Sequence, residues 1–380
     1  MRDSSFFTKV VHHKADQTAA VHSKATPIYQ TSAFTFKDLD DLEKYYEGET
    51  SYLYSRERNP NPEELAEGVA ALEEGSAGVA AASGMAAIFA GILSVVKPGD
   101  HIVAAEDVYG GTHNLLSHEL PSLGIEVTLT SFRDQKSIKG EIRPNTKLLY
   151  SESVTNPFLR VEDMTVLQEI AGKNDLKIMI DNTFATPYLL RPLQQGADLV
   201  VHSATKYLGG HSDATAGVLT GERELVEKAR RKIVSLGSNL SPFEAWLTYR
   251  GTKTLGIRME KQSRNAQALA DAMQRNADVE KVYYPKNVSA EGNGAIVTIA
   301  LNKSIDMNTF YRTLGWIKIV PSLAGVETTV SVPSRTSHRT LSDKDKERFG
   351  IDDHIVRVSV GIESSDDISA QLEQAIEASK

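Results

Sequence analysis

The sequence predicts an α/β protein whose mainly parallel sheet is covered by helices on both faces, followed by a smaller α+β domain. Through the middle of the chain, short apolar strands alternate with helical segments, which is typical of parallel sheets. After about residue 250, one long helical pattern precedes separated strands and a final helix, an order typical of α+β domains. With 380 residues the chain is long enough for more than one domain. We predict an N-terminal arm over 1–60, a large domain over 61–250 and a small domain over 251–380.

The first 60 residues alternate polar and aromatic groups without sustained periodicity, which predicts an extended arm. Four tyrosines would be exposed on it, namely Tyr45, Tyr46, Tyr52 and Tyr54. Exposed aromatic groups usually pack on something, so we expect the arm to contact a neighbouring subunit.

Beyond residue 62 each predicted element has a sequence signal, either periodic apolar residues or a bounded apolar run. The predicted strands of the large domain span 78–82, 101–104, 126–130, 147–152, 177–181 and 199–203. Its predicted helices span 63–74, 85–96, 112–123 and 164–173. The small domain is predicted to contain helices over 254–277 and 365–378 and strands over 279–284, 295–300 and 356–359. The charged runs 222–232 and 343–348 are predicted to be solvated faces.

Composition excludes several classes of protein. The net charge of −8 is spread over short mixed runs, which argues against nucleic-acid binding. The chain has no cysteine, so a disulfide, a thiolate metal site and a cysteine nucleophile are excluded. The longest apolar stretch, 85–96, is too short to span a bilayer, and the N-terminus lacks an apolar signal core. We therefore expect a cytoplasmic protein that contacts neither a membrane nor nucleic acid.

A lysine in a distinctive setting is the most informative local feature. Lys206 follows a buried apolar strand and is flanked by the hydroxyls of Ser203 and Thr205 and by the glycine pair at 209–210. A strand-end lysine by itself most simply faces solvent. A lysine amine can also form a Schiff base with a carbonyl, and the two hydroxyls can hold a phosphate, which together are the needs of pyridoxal phosphate (PLP).

An acid strengthens this interpretation. Asp181 ends the predicted strand 177–181, and ligands of open α/β sheets bind at the carboxyl ends of the strands. Asp181 could simply cap the following turn. Paired with the pyridine nitrogen of PLP, it would keep that nitrogen protonated.

Three further segments follow predicted strands. Gly84 and Met85 open a helix, where backbone N–H groups and the helix dipole favour a phosphate, although the segment could equally be an ordinary helix start. Tyr109 could stack on a cofactor ring, although alone it would more simply be a core residue. Asn156 lies at a height suited to the ring oxygen of PLP.

These motifs resemble the trans-sulfuration (Cys/Met metabolism) family of fold-type-I PLP enzymes. The most specific piece is Ser-Ala-Thr-Lys-Tyr-Leu-Gly-Gly-His-Ser-Asp at 203–213, and the resemblance runs from about residue 27 to 363. The family includes cystathionine γ-synthase, cystathionine γ- and β-lyases, methionine γ-lyase and O-acetylhomoserine sulfhydrylase. The resemblance implies the PLP-dependent transferase fold of type I, with a seven-stranded sheet.

The resemblance also implies roles for individual residues. Lys206 would be the Schiff-base lysine and proton shuttle, and Tyr109 would stack on the ring and serve as an acid or base. Residues implied to bind the cofactor are Tyr54, Arg56, Gly84, Met85, Tyr109, Asn156, Asp181, Ser203, Thr205 and Lys206. Of these, Tyr54 and Arg56 would reach the phosphate in a neighbouring subunit, which implies a homodimer, usually paired into a tetramer. Ser322 and Arg357 would hold the α-carboxylate of an amino-acid substrate.

The marks that distinguish members of the family conflict. Gly111 replaces the cysteine typical of methionine γ-lyases, and Asn114 replaces the arginine usual in the cystathionine enzymes. Glu327 matches the synthases and γ-lyases better than the sulfhydrylases, so Asn114 and Glu327 are candidate substrate-binding residues. We expect γ-elimination from cystathionine, homocysteine or methionine. The alternative is γ-replacement on an O-acylhomoserine.

Other classes of protein fit less well. A nucleotide-binding or dehydrogenase protein would need a Gly-x-Gly-x-x-Gly or Walker motif, which is absent from the sequence. A zinc hydrolase using His202 and His211 is disfavoured because their spacing matches no common zinc pattern, and we expect no metal. A catalytically silent PLP-fold binding protein remains a non-enzyme alternative. Such a protein would not need Ser322 and Arg357 to hold a substrate carboxylate, because binding alone does not require them.

Overall fold

The computed structural model describes residues 5–13, 23–49, 51–339 and 342–380. The expectations that fall on 1–4, 14–22 and 50, all in the N-terminal arm, lie outside the described residues. Within the described ranges, no helix combines the length and the apolar character needed to cross a membrane.

Among the described residues, the larger of two sheets has seven strands. In chain order they are β1 Ala77–Ala81, β2 His101–Ala105, β3 Glu126–Thr130, β4 Thr146–Glu152, β5 Lys177–Asp181, β6 Leu199–Ser203 and β7 Gly217–Gly221. Their spatial order is β1-β7-β6-β5-β4-β2-β3, and of these seven strands β7 alone runs antiparallel to its neighbours. This confirms the predicted mainly parallel, seven-stranded sheet.

Helices cover the faces of this sheet and connect it to the rest of the chain. The α-helices in chain order are α1 Phe6–His12, α2 Leu39–Tyr46, α3 Pro60–Glu73, α4 Gly84–Val95, α5 Gly110–Asn114, α6 Leu120–Ser122, α7 Gln135–Gly140, α8 Met164–Asn174, α9 Thr186–Leu189, α10 Arg223–Leu236, α11 Pro242–Thr252, α12 Leu255–Arg275, α13 Met307–Arg312, α14 Asp343–Phe349 and α15 Ser365–Glu377. A π-helical turn, Leu115–Glu119, joins α5 to α6, and short 3₁₀ turns span Pro192–Gln195 and Pro333–Arg335.

A second, smaller sheet of five strands lies in the C-terminal part of the described chain. Its strands are β8 Val279–Tyr283, β9 Ile296–Leu301, β10 Lys318–Ile319, β11 Thr329–Ser331 and β12 Ile355–Ser359, in the order β10-β11-β12-β9-β8. Apolar residues of α12, α13 and α15 form one core with it. This confirms the smaller C-terminal α+β unit.

The structure differs from the sequence predictions at several elements. Strand β7 was not predicted, because an antiparallel strand that follows β6 without a helix breaks the alternating pattern. The two charged runs form parts of α10 and α14, whose polar faces are solvated as predicted. The N-terminal arm is interrupted by α1 and α2. Asp38 caps the N-terminus of helix α2: its side chain accepts a hydrogen bond from the Asp41 amide at 2.8 Å and so satisfies a free N–H of the first turn.

Candidate active site

A cavity of about 220 Å³ lies at the carboxyl ends of the parallel strands, between the two sheets. Ten of the residues predicted from the sequence line it, and they come from both sheets and the loops between them. They are Gly84, Met85, Tyr109, Asn156, Asp181, Ser203, Thr205, Lys206, Ser322 and Arg357. The strand-end rule accounts for the lining residues between 84 and 206, whereas Ser322 and Arg357 come from the smaller sheet and its loops.

Lys206 is one of two basic residues among the described residues that line this cavity, the other being Arg357. Its Nζ donates a hydrogen bond to Ser322 Oγ at 2.7 Å, so the lysine of the larger domain meets a loop that belongs to the smaller sheet. Burial, and then the positive charge of Arg357, lower the pKa of Lys206 to about 8 from the usual 10.5. A lysine in this state supplies a neutral, nucleophilic amine more readily than an exposed one.

Two buried carboxyl groups lie side by side in the cavity wall. Asp181 on β5 and Glu152 on β4 are register partners on adjacent strands. Burial raises the pKa of Asp181, and burial followed by the charge of Asp181 raises the pKa of Glu152 well above its usual value. Two carboxylates this close together and this well buried are not both ionised. The pair therefore retains one proton, which resides mainly on Glu152.

Backbone groups hold each of these acids. The Thr183 amide donates to Asp181 Oδ1 at 2.9 Å, and the Tyr109 amide donates to Glu152 Oε1 at 2.6 Å. Within the described residues, no lysine or arginine forms an ion pair with Asp181. The carboxylate of Asp181 is therefore available to a cationic ligand group in the cavity.

The first turn of α4 and the end of β6 make a close backbone cradle. A Cβ added at Gly84 would lie 2.7 Å from Ser203 Cβ and 2.9 Å from its Oγ, so a side chain there would fill the space. Ser83 caps the helix, with its Oγ accepting from the Ala86 amide at 3.1 Å. The remaining N–H groups of the first turn and the hydroxyl of Ser203 are donors suited to a phosphate, whereas the hydroxyl of the adjacent Thr205 donates to the Ala216 carbonyl at 3.2 Å.

Arg357 provides a positive charge on the opposite wall. It lies on β12, is 2% exposed, and donates from Nη1 to Asn156 Oδ1 at 2.9 Å. Burial lowers its pKa to about 10, which leaves the guanidinium charged at neutral pH. Because its partner is an amide, the charge is oriented but not neutralised, and it can meet a substrate carboxylate.

Four predicted site residues lie elsewhere. Tyr54 is 42% exposed, and the Arg56 guanidinium lies 5.6 Å from its ring centroid while donating to the Val234 carbonyl at 3.1 Å. Asn114 and Glu327 are exposed and do not line the cavity. The structure of one chain thus brings none of these four to its own cavity.

Several cavity residues were not predicted as site residues. They are Ser83, Ile88, Glu152, Val154, Thr183, Phe184, Thr215, Pro321, Leu323 and Ser337. Glu152 could have been found, because it ends a buried parallel strand just as Asp181 does. Ser337 has no such signal: its carbonyl would lie 1.9 Å from a Cβ at Gly110, a contact between loops distant in sequence.

The two histidines considered as zinc ligands are occupied by other contacts. His202 Nε2 lies 2.8 Å from Glu73 Oε1 in a buried pair, and His211 Nδ1 lies 2.8 Å from the Gly209 carbonyl. In the part of the chain that the structure describes, no group of three histidine or acidic side chains is arranged to hold a metal ion.

Comparison with known proteins gives one consistent likeness. The model of a family described as Cys/Met metabolism PLP-dependent enzymes matches residues 7–377. An L-methionine gamma-lyase of Porphyromonas gingivalis is 38% identical over 394 aligned positions, which cover 99% of this chain and 98% of that one. A crystal structure of cystathionine gamma-lyase from Lactobacillus plantarum, complexed with L-serine, has a TM-score of 0.92 at 35% identity and covers 99% of both chains. A cystathionine gamma synthase from Xanthomonas oryzae pv. oryzae, in complex with cystathionine, has a TM-score of 0.92 at 31% identity over 99% of this chain and 98% of that one.

Proposed function

The chain belongs to the Cys/Met metabolism family of PLP-dependent enzymes, and we propose that it catalyses γ-elimination from a sulfur amino acid with one charged end, such as homocysteine or methionine. It is an enzyme that uses PLP to act on an amino acid, which sets aside the alternative of a silent binding protein. The proposed reaction consumes water and releases ammonia, a 2-keto acid and the departing sulfur, as hydrogen sulfide from homocysteine or as a thiol from methionine.

The charge distribution in the cavity supports a substrate with a single amino-acid group, rather than one with two such groups as in cystathionine. Among the described lining residues, the cations are Lys206 and Arg357. If Lys206 serves the cofactor and the reacting carbon, one arginine remains for one carboxylate. Besides the acids Glu152 and Asp181, the lining includes the apolar side chains of Val154, Phe184 and Leu323, which suit a thioether or thiol. Cystathionine, with a second amino-acid end, would leave charges without a partner in this chain's cavity.

The residues present fit PLP. Lys206 offers an amine with a lowered pKa, Asp181 offers a carboxylate that no lysine or arginine among the described residues pairs with, and Gly84 leaves a donor-lined space that a side chain would fill. We propose that Lys206 and Asp181 hold the ring and that the residues around Gly84 hold the phosphate, namely Met85, Ser203 and Thr205. When bound, PLP supplies an electron sink that makes the substrate's Cα and Cβ protons acidic.

The chain's own groups would carry the remaining steps. Arg357 and Ser322 hold the substrate α-carboxylate, with Asn156 orienting the guanidinium. With PLP bound, Lys206 Nζ would be the base that accepts the proton from Cα, and after passing that proton on it could accept one from Cβ. The Tyr109 hydroxyl delivers a proton to the departing sulfur, which leaves as hydrogen sulfide or a neutral thiol.

We propose three domains with the predicted boundaries 1–60, 61–250 and 251–380, and a homodimer that pairs into a tetramer. The position of Tyr54 and Arg56 outside their own cavity supports the dimer, because neither group reaches the phosphate site of its own chain and both are partly exposed. Their placement at an arm containing exposed aromatic side chains agrees with such a contact.

Competing substrates test the proposed reaction. Values of kcat/KM are measured for homocysteine, methionine, cystathionine and O-acetylhomoserine with and without cysteine, with Lys206→Ala as the inactive control. We expect homocysteine or methionine to be preferred, with the keto acid and the sulfur product (hydrogen sulfide or a thiol, respectively) formed in equal amounts. A preference of about tenfold or more for the ester with a thiol acceptor would instead establish γ-replacement. A comparable preference for cystathionine would contradict the proposal that the substrate carries a single amino-acid group.

A further inference from the structure

Helix α12 carries three buried polar side chains on one face. Arg258, Gln262 and Asn265 are spaced by four and then three residues, and their exposed fractions are 5%, 0% and 2%. This spacing places all three on the same side of an α-helix. Burying a polar group destabilises the fold unless the group forms hydrogen bonds. The hydrogen-bond partners of these three side chains therefore indicate their role.

Arg258 binds the backbone that follows Lys206. Its Nη1 donates to the Tyr207 carbonyl at 2.8 Å, and its Nη2 donates to the Gly251 carbonyl at 2.9 Å and to the Leu208 carbonyl at 3.4 Å. Its Nε donates to Thr254 Oγ1 at 2.9 Å. In the described chain these partners are carbonyls and a hydroxyl, with no carboxylate among them. The guanidinium therefore serves to gather backbone rather than to pair with an acid.

The surroundings of Arg258 are built for this contact. A Cβ at Gly210 would lie 2.1 Å from Arg258 Nη1, and Gly210 has a φ of +71°, so glycine is required there on two grounds. Leu255 and Met259, on the same half of α12, share a core cluster with Tyr207 and Leu208. The segment from Lys206 to Gly210 is thus fixed to the start of α12.

Gln262 and Asn265 bind backbone carbonyls just after Ser322 and Arg357, the two residues proposed to hold the substrate carboxylate, which we call the carboxylate clamp. Gln262 Nε2 donates to the carbonyls of Gly325 at 2.8 Å and Val360 at 2.9 Å. Asn265 Nδ2 donates to the carbonyls of Gly361 at 2.9 Å and Glu363 at 2.8 Å. Gly325 lies three residues after Ser322, and Val360 lies three residues after Arg357.

We propose that Arg258, Gln262 and Asn265 are positioning residues that fix Lys206 relative to Ser322 and Arg357. Lys206 follows the larger sheet, whereas Arg357 lies on the smaller one, so their alignment depends on what joins the two units. The three side chains lie within about two turns of α12, and they bind both the segment after Lys206 and the segments after Ser322 and Arg357. The inference rests on the proposed roles of Lys206 and Arg357 and adds the groups that hold them in register.

Substitution of Arg258 tests the lysine end of the helix face. Arg258→Gln is compared with Arg264→Gln, a matched change on the same helix at an arginine whose side chain is 70% exposed. We expect Arg258→Gln to lower kcat by about 10- to 100-fold, because a misplacement of about 1 Å at a reacting group has this effect. It should also shift the pH midpoint of the cofactor's visible absorption, which reports on Lys206 and requires no substrate. Arg258→Lys should restore part of both, and Arg264→Gln should change neither.

Substitution of Gln262 tests the clamp end. Gln262→Leu is compared with Gln267→Leu, since Gln267 is exposed and bonds to Asp271 at 2.9 Å. We expect Gln262→Leu to raise KM by about tenfold or more with a smaller change in kcat, because the carboxylate clamp is displaced while Lys206 is still held. Gln267→Leu should leave both constants unchanged.

Two results would overturn the proposal. One is a folded Arg258→Gln protein with parental kcat and a parental absorption midpoint. The other is an equal loss in Arg258→Gln and Arg264→Gln. If Arg258→Gln does not fold, Gly210→Ala decides the question, because it displaces the guanidinium without removing its charge, and parental kcat and midpoint in that variant would overturn the proposal equally. The absorption midpoint is measured without substrate, so its result does not depend on which sulfur amino acid the enzyme prefers. A failure of the proposed function can therefore be told apart from a failure of this proposal.

Discussion

Arg357 donates a 2.9 Å hydrogen bond to the side-chain oxygen of Asn156, 201 residues earlier in the chain. Arg357 lies on β12 of the smaller sheet, and Asn156 follows β4 of the larger one, so this bond closes the cavity across the two units. Both side chains are buried, with exposed fractions of 2% and 3%. A neutral acceptor orients the guanidinium and leaves its full charge for a ligand.

This relationship predicts how Asn156 affects substrate binding. A hydrogen bond to a charged group contributes about 1.5–3 kcal/mol, so Asn156→Ala should raise KM by about 10- to 100-fold. Asn156→Asp should raise it further, because a carboxylate would compete with the substrate for Arg357. Steady-state kinetics check both, with the exposed Asn174→Ala as the control. An Asn156→Asp enzyme with parental KM would contradict this account of the clamp.

The lowered pKa of Lys206 predicts the pH dependence of cofactor capture. The neutral amine is the nucleophile, so the rate at which cofactor-free protein binds PLP covalently should rise with pH through a midpoint near 8, below the usual 10.5. Arg357→Met should move this midpoint upward, since one repelling charge is removed, while burial keeps it below the usual value. Stopped-flow absorbance measures the rate. A midpoint that moves down in Arg357→Met would contradict the assigned cause.

Removing the amine itself should separate catalysis from binding. Lys206→Ala is expected to abolish keto-acid release, because the nucleophile and proton carrier are gone. Non-covalent PLP binding should persist, since the donors around Gly84 remain. Lys173→Ala, a surface change, is the control. Activity of Lys206→Ala within about tenfold of the parent would remove Lys206 from the mechanism.

Asp181 should act through charge. Asp181→Asn keeps the shape of the side chain but removes the carboxylate that would hold the ring nitrogen protonated, so exchange of the substrate α-proton should slow by at least about a hundredfold. The control is Asp175→Asn, at an exposed position with a φ of +53° that asparagine tolerates. Deuterium exchange followed by NMR measures the step. Near-parental exchange in Asp181→Asn would make that residue structural.

Arg56 should act across a subunit boundary. Arg56→Ala is expected to weaken PLP binding, and mixing it with Lys206→Ala should regenerate some active sites, because a mixed dimer can contain one site with both residues intact. Mixing Lys206→Ala with Asp181→Asn is the control, since each lesion then disables the site of its own chain. After subunit exchange has been verified, an absence of rescue in the first mixture would mean that Arg56 serves its own chain.

The sequence by itself determined six of the seven strands of the larger sheet, β1 to β6, and most of the groups along its edge. Asp181 and Lys206 were found because strands β5 and β6 are short, apolar and bounded, and because parallel strands present their carboxyl ends at one edge. The same rule identifies Glu152 once it is applied to β4. These signals are local: each is contained in a run of about ten residues whose periodicity or polarity changes sharply.

Only the tertiary structure decided which loops meet at that edge. The bond between Lys206 and Ser322, the approach of Ser337 to Gly110 and the grip of Arg258 on the lysine loop join segments distant in the chain. Such contacts depend on how two sheets pack around α12, and no short sequence pattern encodes that geometry. For the same reason Asn114, although it lies on the short helix that follows the lining residue Tyr109, is exposed outside the cavity, because the direction of a side chain is set by the packing of its whole element.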